Sequence, residues 1–294
     1  MHQPTSRRAF LKQATVCTAA AAAATPALLP TALLSGAEAT PAQMPKIRLG
    51  KLEVSRLILG SNPFFGFAHG NPQATPKEMT DYYTPERIKA VLDEAADQGI
   101  TAVWVPCYDH WIRIWHEYQE KGGKLKIWIA QPDRSPMEKE ITKAAKNGAK
   151  AICVQGEHVD SQFAANKFDV LQKWLESIKS FDLPAGLATH RPQTHLVVED
   201  KKLPTDFYHQ CVYQPENYSN ECLQQALATI ARLDKPVVAY KVLAAGRVLP
   251  KEALPRLLAR IRPKDGLCVG VFPKKNRDEI AENAILVKRL SGIA

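Results

Sequence analysis

The sequence predicts an α/β fold, a closed (β/α)8 barrel of the TIM type. Three observations predict it. Short apolar runs bounded by turn residues alternate with amphipathic runs along the chain after about residue 56. There are eight such apolar runs, and residues 40–294 give a length that suits one barrel. The competing fold is a doubly wound open sheet, but no GxGxxG fingerprint follows the first apolar run to support it.

The expected strands occupy residues 57–60, 102–105, 126–130, 151–154, 185–188, 210–213, 237–240 and 267–271. Strands buried on both faces read as continuous apolar runs, as in Ala151-Ile152-Cys153-Val154. Between them, Thr84-Pro85-Glu86 is a helix start, with a capping hydroxyl, a proline at the first helical position and an acid in the first turn. That helix runs towards Gly99, and the one over 136–147 stops at Gly148 in the same way. Helices are also expected over 171–180, 220–233, 251–261 and 277–290. The stretch 61–83, rich in Gly, Pro, Phe and Asn, is expected to be a long loop after the first strand and a candidate lid.

The start of the chain reads Ser6-Arg7-Arg8-Ala9-Phe10-Leu11-Lys12, then an apolar Ala-rich stretch over 14–34, then Ala37-Glu38-Ala39. This is the pattern of a twin-arginine signal peptide with a small-residue cleavage site. Residues 1–39 are therefore expected to be removed, leaving a barrel domain over 40–294 in the periplasm or outside the cell. The twin-arginine export machinery is the expected partner. Pro26, Pro30 and the weak hydropathy of alanine argue against a stable membrane anchor after cleavage. Val16 before Cys17 departs from a lipoprotein pattern.

The whole chain carries +9 at pH 7; the first 39 residues hold Arg7, Arg8, Lys12 and Glu38, so the remainder carries about +7. The basic residues are scattered, without runs or interleaved aromatics, so no nucleic-acid partner is expected. Five cysteines follow Cys17, and none forms a CxxC pair, which speaks against zinc knuckles and thioredoxin-like chemistry. Most sit in apolar runs, where cysteine acts as a small hydrophobe.

In barrels of this kind the working site lies at the carboxyl ends of the strands. Lys241 directly continues an apolar strand, which places an amine at the barrel mouth, where it is costly unless paired or used. Glu157 and His158 follow the fourth strand and His190 the fifth, offering acid–base groups; Asp109 follows the second. Each histidine could equally be a loop residue bonded to backbone. Asp109, His110, Glu157, His158 and His190 could together hold a divalent ion, but no HExxH-type spacing supports one, and no metal ligand is assigned.

Four segments resemble the aldo/keto reductase superfamily. The run from Leu49 to Gly60 looks like its opening hairpin and first strand. Gln214-Pro215-Glu216-Asn217-Tyr218-Ser219 looks like its strand-six segment, and the run from Lys235 to Arg247 like strand seven and its loop. Phe272-Pro273-Lys274-Lys275 with Glu282-Asn283 resembles the cofactor-phosphate segment after strand eight. The resemblance implies a barrel, an NAD(P) cofactor held by Gln214, Lys274, Lys275, Glu282 and Asn283, and hydride transfer to a carbonyl. The family's Asp, Tyr, Lys and His tetrad is largely missing: Pro106 and Gln131 stand at the Asp and Lys positions, no Tyr has the family spacing, and His158 or Gln155 stands for the His. Glu279 replaces an arginine that would grip a 2′-phosphate. The expected function is that of an exported oxidoreductase acting on a small carbonyl or carbohydrate. The alternatives are an isomerase, lyase or hydrolase on a sugar-like substrate, or a non-catalytic binding protein.

Overall fold

The computed structural model describes residues 43–291, all within the compact unit Pro41–Ala294. The signal peptide expected over 1–39 lies outside the described residues. An antiparallel hairpin, β1 (Lys46–Leu49) and β2 (Leu52–Ser55), precedes eight parallel strands. These are β3 (Leu57–Gly60), β4 (Ala102–Pro106), β5 (Ile127–Gln131), β6 (Ala151–Val154), β7 (Ala185–Thr189), β8 (Phe207–Cys211), β9 (Val237–Tyr240) and β10 (Gly266–Gly270). They pair in chain order, and β10 closes on β3. The expected closed (β/α)8 barrel is the observed fold.

Ten helices accompany the strands among the described residues. Those that bear on the site are α1 (Pro76–Tyr82), α2 (Pro85–Asp97), α3 (Asp109–Glu120), α4 (Met137–Lys146), α5 (Gly156–Ala164), α6 (Phe168–Lys179), α7 (Gln193–Asp200), α8 (Asn220–Arg232), α9 (Pro250–Leu258) and α10 (Glu279–Ser291). α2 starts as its sequence dictates: the Thr84 hydroxyl accepts from the Arg87 N–H, and Pro85 occupies the first turn. None of these helices is long and apolar enough to cross a membrane.

Two apolar layers follow from the alternation of side chains along each strand. Leu59, Val103, Trp128, Ile152 and Leu187 face the helices. Ile58, Ala102, Ile129, Cys153, Val238 and Cys268 fill the interior, and Ile47, Leu49 and Val54 of the hairpin join them, plugging the amino-terminal end. The plug leaves the carboxyl end as the open one, so the site has one place to form. All five described cysteines are buried and free, in keeping with their reading as small hydrophobes.

Two parts of the sequence reading shift. The strand expected at 210–213 lies at Phe207–Cys211. Its segment is polar for a strand, yet every residue is buried: Phe207, His209 and Cys211 alternate inward, and Tyr208 and Gln210 face the helix layer. Hydropathy pulled the reading towards the apolar run that follows. The stretch 61–83 is also not wholly irregular. It holds a 3-10 turn at Asn62–Phe65 and then α1, which opens with a capping box between Thr75 and Glu78.

Candidate active site

A cavity of about 710 Å³ opens at the carboxyl ends of the strands. Trp104, Gln131, Tyr240 and Cys268 line its base. Its walls are the segment after β3, the loop after β9 and the segment that leads from β10 into α10.

The segment after β3 is latched across the mouth. Arg247 NH2 donates to the Gly70 carbonyl at 3.0 Å, Gln73 Nε2 donates to the Gly246 carbonyl at 2.9 Å, and the Tyr218 hydroxyl donates to the His69 carbonyl at 3.2 Å. The approach is close enough that a Cβ on Gly246 would stand 2.7 Å from the Asn71 amide, and Gly246 has φ +81°. The segment expected as a candidate lid thus lies at the cavity wall, hydrogen-bonded to the loop after β9.

Lys241 lines the cavity. It takes a left-handed backbone, φ 56°, and Ala244 and Ala245 do the same at 48° and 52°. Three such residues without a glycine cost of order 1 kcal/mol each, a concentration of strain typical of working loops. No carboxylate pairs with Lys241 and no acceptor meets its amine among the described residues; burial pushes the amine below its ordinary value, offset in part by Cys211 and Glu216. Burial in turn lifts the Cys211 thiol to about 12, so it stays neutral and gives the lysine no counter-ion.

His190 stands at the end of β7. Asp160, from α5, accepts from the His190 backbone N–H at 3.0 Å and from Nδ1 at 2.9 Å, and also takes the Thr189 hydroxyl. That bond fixes the ring through Nδ1; His190 does not itself line the cavity, although its neighbour Tyr240 does. The His190 ring lies 5.8 Å from Tyr240, whose hydroxyl donates to the Thr189 carbonyl at 3.0 Å. His69, on the lid, lines the cavity and lies within reach of the Asn62 amide at 3.1 Å. Desolvation, and then the charge of Lys241, hold it below its ordinary value, at about 4, so it is neutral at pH 7.

The other sequence-selected residues go elsewhere. Asp109 is exposed and pairs with Lys143 at 2.6 Å on the outer helix layer. Glu157 is exposed on the first turn of α5. His158 bonds through Nε2 to the Asp133 carbonyl at 2.9 Å, the backbone-bonded arrangement weighed above. Lys275 and Glu282 line the cavity, beside Asn276 and Glu279, whereas Lys274 is exposed and outside it. Gln214 is half-buried and does not line the cavity, its carbonyl capping the turn to Tyr218. Asn283 is buried with both amide atoms unpartnered, but faces a small void against Leu57 and Ile100 behind the barrel. Sequence reading passed over His69 and Tyr240 as site residues, and noted Asp160 only among the polar residues that follow the fourth strand. Asp160 had a signal, its place one helical turn beyond Gly156 after the fourth strand; nothing local marked Tyr240 apart from its neighbour Lys241.

No family model and no curated protein matches the chain. Solved structures do. A Pseudomonas aeruginosa protein assigned to the aldo-keto reductases is similar over 83% of this chain and 94% of its own, at 16% identity and a TM-score of 0.55. An aldo-keto reductase from Bacillus halodurans, in its holo form, is similar over 84% and 96%, at 13% identity and 0.51. A truncated 3-deoxy-D-arabino-heptulosonate 7-phosphate synthase from Thermotoga maritima is similar over 86% and 92%, at 13% identity and 0.50. The likeness is of fold: the chain has the closed parallel barrel found in aldo-keto reductases and in a synthase of different chemistry.

Proposed function

We propose that this chain is an exported barrel enzyme that acts on a small carbonyl or carbohydrate substrate at the latched cavity. One observation carries the reading: an amine without a partner, Lys241, on the wall of a large cavity at the carboxyl end of the barrel. Neutral His69, on the lid and lining the same cavity, supplies a hydrogen-bond donor. Export is supported by the twin-arginine pattern at Ser6–Lys12 and the small-residue site at Ala37-Glu38-Ala39.

The reductase tetrad does not assemble here. Tyr108 is engaged with Asp133, Tyr240 with the Thr189 carbonyl and His158 with a backbone carbonyl. The geometry therefore favours carbon–oxygen or carbon–carbon chemistry at a carbonyl, by isomerisation, elimination or addition, over hydride transfer.

A second reading, an oxidoreductase, keeps one specific support. The cavity runs between the loop after β9 and the start of α10, the two segments whose sequences resemble a nicotinamide site. Leu249, Ile285 and Leu286 would cover an adenine face, and Lys275 and Asn276 would meet phosphate oxygens. Glu279, whose carboxyl burial raises to about 7, and Glu282 would disfavour a 2′-phosphate, so the fit is to NADH.

One experiment separates these readings. The purified 40–294 protein is incubated with a panel of aldehydes, 2-oxo acids and reducing sugars, with and without NADH, and followed by NMR. Turnover without nucleotide is the expected result, with loss of at least a hundredfold in Lys241→Met. Turnover only with NADH would establish the redox reading. No turnover in either condition would overturn the assignment to a small carbonyl or carbohydrate substrate.

A further inference from the structure

We propose that Lys241 is a covalent nucleophile: its unpartnered amine, on the wall of the cavity that His69 also lines, forms an imine with the carbonyl carbon of the substrate. This deepens the carbonyl reading above and rests on it. Three independent features of the structure converge. The lysine lines the cavity. Its charge has no matching anion, since Cys211 is a neutral buried thiol and Glu216 is exposed. Its backbone is held in the left-handed region at the turn out of β9, which fixes where the side chain starts. A lysine recruited as a structural ion pair would show the opposite pattern, with a carboxylate at its amine.

The step balances without any redox partner. The neutral Lys241 Nζ attacks the carbonyl carbon, forming a C–N bond, while the C=O π pair moves to oxygen. A proton passes from nitrogen to that oxygen, giving a carbinolamine. A second proton, delivered from a protonated imidazole or from water, lets the hydroxyl leave as water and yields the protonated imine. His69, which lines the cavity together with Lys241, is the group of this chain placed to move those protons. Desolvation helps, because it raises the fraction of amine that is neutral at pH 7.

Pentane-2,4-dione tests this directly. It condenses with a neutral amine by the same C–N bond formation and loss of water, and the product rearranges to a stable enaminone without a reductant. Peptide mapping of wild-type 40–294 protein at pH 7 reads the labelling rate of every lysine. The expected result is Lys241 labelled at least tenfold faster than exposed lysines such as Lys173 and Lys274, with the advantage shrinking as pH rises towards 10. Labelling of Lys241 at or below the surface rate would overturn the assignment. Lys241→Arg, checked for native circular dichroism, separates this idea from the wider one. Turnover that survives in Lys241→Arg removes the imine but leaves the enzyme reading intact; a fast-labelling Lys241 with no turnover on the panel removes the substrate class and leaves the nucleophile.

Discussion

Asp160 shows how one side chain connects an outer helix to the barrel mouth. It accepts three hydrogen bonds from Thr189 and His190, and its side chain is only 12% exposed. Removing it leaves a backbone N–H and a ring N–H without their acceptor, a cost of roughly 2–3 kcal/mol. Asp160→Ala is expected to lower stability by about that amount in urea denaturation, with an unchanged far-ultraviolet spectrum. A shift under 0.5 kcal/mol would mean that water satisfies His190 as well as the carboxylate does. Gly156, at the start of the same helix, explains why α5 can lie so close. A Cβ there would be 3.0 Å from both His190 Cε1 and the Tyr240 hydroxyl.

At the scale of elements, β3, β9 and β10 are tied together at the end opposite the site. Arg56 donates through Nε to the Asp265 carbonyl at 3.0 Å and through NH2 to the Arg262 carbonyl at 3.1 Å. The buried Asp265 carboxylate accepts from the Val237 N–H at 2.9 Å and from Arg262 Nε and NH2 at 2.8 and 2.7 Å. Removing that carboxylate leaves the buried Val237 N–H without its acceptor and Arg262 without its ion pair, at a cost of about 3 kcal/mol. Asp265→Ala should therefore reduce stability by that much and leave Lys241 labelling of the folded fraction unchanged, because the cluster and the cavity occupy opposite ends of the barrel. Altered labelling at Lys241 would show that the two ends are coupled. This network was invisible in the sequence. Arg56 and Asp265 are 209 residues apart, and only closure of β10 on β3 brings them together.

At the scale of the whole molecule, the buried histidines make folding sensitive to mild acid. His209 lies inside the barrel against Trp104, with ring centroids 4.2 Å apart and both ring nitrogens unpartnered. Burial pushes it down to about 3, from an ordinary value of 6.5. His195, whose Nε2 bonds to the His209 carbonyl, is pushed by burial to about 4. A histidine depressed in the folded state binds its proton only after unfolding, so stability present above pH 6.5 is lost as pH falls towards 4. At pH 4.5 each histidine removes roughly 2–3 kcal/mol. Glu279 has the opposite sign. It is raised to about 7 when folded, so it gains stability over the same window and offsets roughly one histidine. These three groups together give a net loss of about 2–3 kcal/mol between pH 7 and pH 4.5, to which His69 adds in the same direction, and Glu279→Gln should make the loss steeper. Flat urea midpoints over that range would exclude proton uptake by these buried rings.

The sequence by itself determined the barrel and most of its strand positions, because apolar runs and helix caps are local features whose energies depend on near neighbours. It also marked Lys241, since a lysine directly continuing an apolar strand is legible from position alone. The register of β8 escaped it, because His209 and Gln210 look like surface residues until the barrel closes around them. The assembly of the site escaped it for the same reason. Asp109, Glu157 and His158 all follow strands, but the helices begin so soon that Asp109 and Glu157 turn outward, while His158 is spent on a backbone carbonyl. The lid latch, the Asp160–His190 pair and the cavity between the β9 loop and α10 join residues far apart in the chain. Their contacts exist only once eight strands share one axis, so tertiary structure alone decided which of many polar residues face the same space.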